Sequence, residues 1–195
     1  MTTLSARKKA AVLEAAIYLF QQHGFQGTSM DAIAAKAEVS KRTVYNHFTS
    51  KQDLFETIAY SVWESANKAT ALQFDPTKPL QEQLFTLAMK ELELVSDTDF
   101  LKLSRVLMAE LINEPSLAQA IMERFNEEQS SLSLWMQQAS QHDQLNIEDA
   151  TEAAAQFHAL IKSQAFWPQI MYGQESISAD KHAAFAQRVC TMFLA

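Results

Sequence analysis

Glycine and proline are scarce, with 3 and 4 in 195 residues. Few places therefore force the backbone to turn, and no alternating runs bounded by Gly, Asn-Gly or Pro occur. The strand–helix rhythm of a parallel sheet is missing as well, which leaves an all-α fold. One cysteine, Cys190, excludes an intramolecular disulfide framework and any multi-cysteine metal site. No apolar run approaches the roughly 18 residues that cross a bilayer. The segment Met1 to Lys9 is polar and basic with no apolar stretch behind it, so it does not read as a signal peptide. A cytoplasmic protein without a membrane partner is expected. His-Glu-x-x-His, Gly-x-Gly-x-x-Gly, Gly-x-Ser-x-Gly and a phosphate-cradling Gly-rich loop are absent. His142-Asp143 and Cys190 stand isolated, so no catalytic residue, metal or cofactor is expected.

Hydrophobic residues make up 48% of the chain, enough for a real core. The net charge of −7 is unevenly spread. Through Lys51, seven basic residues (Arg7, Lys8, Lys9, Lys36, Lys41, Arg42, Lys51) face three acids (Glu14, Asp31, Glu38). The remainder carries nine basic and twenty acidic residues. A basic head on an acidic body suits one segment that meets phosphate and another that stays off it.

Apolar periodicity predicts about nine helices. The first, about 7–22, ends at His23-Gly24, where Gly24 can take the left-handed conformation. Ser29 or Thr28 caps a short helix, 30–37, with Asp31 in its first turn. A tight turn at Glu38-Val39 leads to Ser40, which caps a third helix over 41–47. Ser50 and Asp53 form a capping-box-like pair at the start of the next. Further helices are predicted at about 51–72, 79–95, 99–112, 115–141, 148–171 and 179–194. No internal repeat appears.

Two short helices joined by a few residues, the second rich in groups that reach bases and phosphates, form a helix-turn-helix. Ile33, Ala34, Val39, Val44 and Phe48 would fix the angle between them. Arg42 and Thr43 lie one turn into the second helix, where Arg can pair with guanine and the Thr methyl can touch thymine. Lys41, Tyr45, His47 and Lys51 suit phosphates, as do Thr28 and Ser29 at the start of the preceding helix. Asn46 fits either role, and Tyr45 and Phe48 also fit a core.

The stretch Gly24-Phe25-Gln26-Gly27-Thr28-Ser29-Met30-Asp31-Ala32-Ile33-Ala34, followed by Val39-Ser40-Lys41-Arg42-Thr43-Val44-Tyr45-Asn46-His47-Phe48-Thr49-Ser50-Lys51, resembles the DNA-binding head of the TetR family of bacterial transcriptional regulators. The resemblance covers about a quarter of the chain. It implies a homodimer on near-palindromic double-stranded DNA, a three-helix head (residues 1–50), and a helical effector-binding and dimerisation part (residues 51–195). Most often such a regulator is a repressor released by a small molecule. In the family, the positions of Thr28, Ser40, Lys41, Tyr45, His47 and Lys51 meet phosphates, and those of Arg42, Thr43 and Asn46 meet bases. Many members have Gly or Ala where this chain has Arg42.

In the body, Trp63, Phe85, Met89, Phe100, Met108, Phe125, Trp135 and Trp167 supply aromatic and sulfur-bearing side chains suited to an adaptable cavity. They suit an ordinary core equally. Arg105, Asn126 and His158 are isolated polar groups in this company. Arg105 either meets an anionic ligand or pairs with Glu110 or Glu123, and His158 is either a core histidine or a ligand contact. The family resemblance puts a dimer surface on the last two helices, and their apolar stripes, with Ala154, Phe157, Ile161, Phe185, Val189 and Met192, suit that surface or an ordinary core.

Overall fold

The computed structural model describes residues 4–126 and 129–195, and the side chains of Arg124 and Asn126 lie outside that description, as do residues 1–3 of the N-terminal reading. Eleven helices occur among the described residues: α1 (Leu4–His23), α2 (Met30–Lys36), α3 (Lys41–His47), α4 (Lys51–Ala69), α5 (Leu80–Ser96), α6 (Thr98–Asn113), α7 (Pro115–Asn126), α8 (Ser131–Gln141), α9 (Ala150–Ala165), α10 (Trp167–Tyr172) and α11 (Ala179–Phe193).

Two of the expected helices are each divided. The 115–141 stretch is two helices, and the second begins where the Ser130 side chain accepts the Ser133 N–H at 3.1 Å, an N-cap that restarts the hydrogen-bond ladder. The 148–171 stretch breaks at Phe166, because Pro168 brings no N–H to continue the ladder and suits the first turn of a new helix instead. Gln169 repairs the break. Its buried side-chain amide donates to the Ala165 carbonyl and to that of Val95 at 3.0 Å, near the end of α5.

The chain divides into two compact units, one of residues 1–62 with 103–124, the other of 63–102 with 125–195. This grouping follows packing, whereas the 1–50 and 51–195 division expected from the sequence concerns what each part does. In the first unit α1 packs on α2 and α3. Its interior holds Val12, Ala16, Ile33, Val44, Phe48, Leu54 and Ile58, each 0–1% exposed. Phe20, Phe25 and Phe55 form a ring cluster with centroids 5.2–5.9 Å apart. In the second unit α5, α8, α9, α10 and α11 pack around Leu84, Leu92, Leu132, Trp135, Phe157 and Ile161. Each large apolar side chain buried there contributes about 1.5–3 kcal/mol over its exposed state.

This burial corrects the expected dimer surface. Ala154, Phe157, Ile161, Phe185 and Val189 are 0–3% exposed inside one chain, so they cannot present a face to a second. A 3.6-residue stripe marks the side a helix buries against its own unit; of that set only Met192, 66% exposed, lies outside. The aromatic set is also placed unevenly. Trp135 is core and packs edge-on to Phe74 (5.6 Å), while half-buried Trp63 stacks on Phe125 at 5.6 Å and 20°. Phe85, Met89 and Phe100 are half-buried against the same core, and Phe100 lies 6.4 Å from Phe166. Met108 is half-buried in the first unit, and Arg105 and Trp167 are on the surface rather than in an apolar interior.

Cys190 is fully buried on α11, and desolvation pushes its thiol up to about 11. Because only the thiolate is nucleophilic, Cys190 should resist iodoacetamide at pH 8 in native protein and react once denaturant unfolds it. Rapid labelling without denaturant, read by mass spectrometry, would contradict this placement.

Candidate nucleic-acid interface

Local sequence builds the helix-turn-helix step by step. Ser29 caps α2 by accepting the Ala32 N–H at 3.1 Å. The helix ends at Ala37, and Glu38 turns the chain at φ 54°, a left-handed conformation that costs a non-glycine residue about 1–2 kcal/mol. The Val39 N–H closes the turn on the Ala34 carbonyl at 3.1 Å. Ser40 then caps α3 by accepting the Thr43 N–H at 3.1 Å, and its hydroxyl lies 2.9 Å from that of Thr43.

Val44 on α3 and Phe48 at its C-terminal cap point inward, 0% and 1% exposed. Their i, i+4 spacing leaves Arg42, Tyr45 and Asn46, also one turn apart, together on the outer face. Tyr45 is 51% exposed, so the core alternative does not hold for it, whereas Phe48 is core. Thr43 and His47 are half-buried at the flanks. Lys41 is exposed and pairs with Asp31 on α2 at 2.5 Å; an exposed pair of this kind contributes little and opens readily. Arg42 is exposed and has no side-chain partner among the described residues. Lys36 rests over the Tyr18 ring at 4.2 Å and Lys9 over the Phe48 ring at 5.7 Å.

Two residues read from sequence as phosphate contacts bond to the loop before α2. Thr28 is 3% exposed, and its hydroxyl donates to the Gly24 carbonyl at 2.8 Å. The Lys51 ammonium donates to the Phe25 carbonyl and to that of Thr28 at 2.9 Å, and lies over the Phe25 ring at 4.3 Å. Burial lowers its pKa and the Glu110 carboxylate opposes that. Both side chains shape the loop before α2. The Ser50–Asp53 expectation is met in altered form: Ser50 accepts the Asp53 N–H at 3.0 Å, but the Asp53 carboxylate reaches one residue further back, to the Thr49 N–H at 2.8 Å.

Sequence reading missed Glu110. Its carboxylate, 8% exposed, accepts the Phe25 N–H at 2.7 Å across 85 residues of chain. Nearby, the Gln26 amide donates to Glu114 at 2.6 Å. The loop is shaped to receive these groups. Gly24 has φ 70°, and a Cβ there would stand 3.3 Å from a Glu110 oxygen; at Gly27 a Cβ would lie 2.3 Å from the His23 carbonyl. The only sequence sign was an acid in an otherwise apolar helical stretch, read there as a partner for Arg105. A cleft of about 280 Å³ beside this clamp is lined by Phe25, Gln26, Gln52, Glu114, Ser116 and Leu117, none of the aromatic set expected around a ligand.

Comparison with known proteins places this geometry. Residues 12–58 match the bacterial regulatory proteins of the tetR family, and residues 82–195 match the C-terminal domain of AefR-like transcriptional repressors. The chain belongs to the TetR family. The crystal structure of a TetR family transcriptional regulator from Pseudomonas syringae pv. tomato str. DC3000 is similar at a TM-score of 0.85 and 38% identity, over 100% of this chain and 96% of that one. The flavonoid-responsive regulator FrrA is similar at a TM-score of 0.75 and 28% identity, over 96% of this chain and 95% of that one. The transcriptional regulator RutR of Escherichia coli (strain K12) is 32% identical over 112 residues, 56% of this chain and 50% of RutR. The chain spans about half the length of the curated relatives it matches. The family is one of helix-turn-helix transcriptional regulators rather than enzymes. No helix among the described residues is long and apolar enough to cross a membrane.

Removing the buried Glu110 acceptor leaves the Phe25 N–H without its partner, which costs about 1–3 kcal/mol. Glu110→Ala should therefore lower the urea midpoint with an unchanged slope, and Glu110→Gln, which keeps a carbonyl acceptor, should recover most of the loss. Equal midpoints for wild type and the alanine variant would count against the clamp.

Proposed function

We propose that this chain is a cytoplasmic repressor that binds a near-palindromic operator as a homodimer and releases it when a small molecule binds its C-terminal part. Residues 1–50 carry DNA recognition and 51–195 carry effector binding and dimerisation. The observation that carries the DNA reading is the outward face of α3, where Arg42, Tyr45 and Asn46 stand together on a helix fixed from behind by Val44 and Phe48. Arg42, Thr43 and Asn46 read bases; Ser29, Ser40, Lys41, Tyr45 and His47 meet phosphates once the Lys41–Asp31 pair opens. Thr28 and Lys51 act indirectly, by holding the loop that aims α2. Repression is favoured by the AefR-like repressor match over the C-terminal part, and a small-molecule effector by the named flavonoid response of FrrA.

Dimerisation is assigned to the residues that one chain leaves uncovered. On α9 Ala155 and Ala159, and on α11 Ala184 and Met192, are exposed, and such small side chains as the alanines permit close helix approach. A two-fold dimer sets its recognition helices roughly 34–36 Å apart, one turn of DNA. Met192→Glu places a charge in that face and should shift the sedimenting species from dimer to monomer, with loss of operator binding. A variant that still sediments as a dimer would move the interface elsewhere.

Selection of bound sequences from a random DNA pool tests the whole reading. A short inverted repeat is the expected result, and no enrichment from ligand-free protein would refute operator recognition. On that repeat, Arg42→Ala should weaken binding by about 1–3 kcal/mol and relax preference at one base position. An unchanged sequence preference would remove Arg42 from base readout.

A further inference from the structure

We propose that Glu91, held by His158, is a ligand-binding residue that accepts a hydrogen bond from the hydroxyl of a small hydroxylated aromatic molecule. The proposal deepens the effector reading of the C-terminal part and rests on it. Glu91 lies on α5, which packs against α9, and it is 2% exposed. One carboxylate oxygen is 2.7 Å from His158 Nδ1; the other is buried with no hydrogen-bond partner. Its companions across these two helices, Leu87, Ala88, Leu92 and Val95 on α5 and Ala154, Phe157 and Ile161 on α9, are apolar and buried.

Stability does not account for an acid at this point. A carboxylate has about four acceptor positions, and an unmet one in an apolar interior carries the full desolvation penalty. A buried, hydrogen-bonded acid of this kind is often no more stable than an apolar side chain of the same volume, so leucine would serve packing as well or better. Positions that break packing rules in this way are where binding groups belong. The group that completes Glu91 is a hydrogen-bond donor, and its carrier is otherwise apolar, to match the surrounding side chains. His158 is 25% exposed on its side chain, so the pair sits at the margin of the core.

A second orphan points to the same ligand chemistry. Trp135 Nε1, on α8 in the same unit, is a buried donor without a partner, and α8 packs against α9. One unit thus holds an unmet acceptor and an unmet donor. Hydroxyls on an aromatic frame supply both complements, whereas a protonated amine supplies donors alone.

Thermal melting of the whole wild-type chain with 2-naphthol and 4-phenylphenol, each against its methyl ether, tests this. The ethers keep the ring and the acceptor oxygen and exchange the donor hydrogen for a methyl group, whose bulk acts alike in wild type and in the Glu91 variants. A phenol at ten times its Kd should raise Tm by roughly 3 °C or more, and its ether by clearly less. In Glu91→Leu that difference should vanish while the ligand-free Tm stays equal or rises; Glu91→Gln, which keeps one acceptor, should retain part of it. If the Glu91→Leu variant melts early, the Glu91→Gln variant decides. Equal shifts from phenol and ether would overturn the Glu91 assignment and leave an apolar effector site standing; an undiminished difference in both variants would overturn it too, by placing the acceptor elsewhere. No shift from any of the four compounds would overturn the assignment together with the aromatic effector reading.

Discussion

The backbone of residues 24–28 carries N–H and C=O groups that no helix ladder can use, and side chains from three places satisfy them. Glu110 takes the Phe25 N–H, the Lys51 ammonium takes the Phe25 and Thr28 carbonyls, and the Thr28 hydroxyl takes that of Gly24. Buried backbone groups are paired almost without exception, so the loop has few alternative conformations open to it. It sets where α2 starts, and the Ala34–Val39 turn then sets α3. The outward side chains of α3 are therefore aimed from a distance, by the loop that sets the start of α2. Absence of a Cβ at Gly24 and Gly27 is what lets the chain come this close.

The second unit solves a different problem. It must bury a wide apolar surface with helices interrupted at Phe166, and it does so with a proline that stops one helix and a glutamine that pairs the Ala165 carbonyl at the stop and the Val95 carbonyl near the end of α5. Around that repair the core is ordinary close packing of Leu, Phe and Trp side chains. Against this background the incompletely paired Glu91 and Trp135 stand out, since the other buried side-chain polar groups described there have partners.

Much of this was legible in particular residues. Scarce glycine and proline, the stripes of α1, α4, α5, α6 and α11, and the serine caps before α2 and α3 all act over a few residues, so the chain declares them locally. Pro168 was equally legible, and marks a helix break that apolar periodicity alone runs straight through. Periodicity also misled on assembly: it selects the face buried in a unit, so Phe157, Ile161, Phe185 and Val189 were read as an interface and proved to be core.

What the sequence determined by itself was the all-helical class, the helix-turn-helix with its outward Arg42, Tyr45 and Asn46, and the basic head on an acidic body. Each follows from side-chain spacing of three or four residues or from simple charge counts. Tertiary structure alone decided that Lys51 and Thr28 bond to the loop before α2, that Glu110 reaches Phe25 from 85 residues away, and that Glu91 meets His158. Those pairings arise because buried polar groups must find partners wherever the fold brings them, and no local pattern records which distant residue will be there.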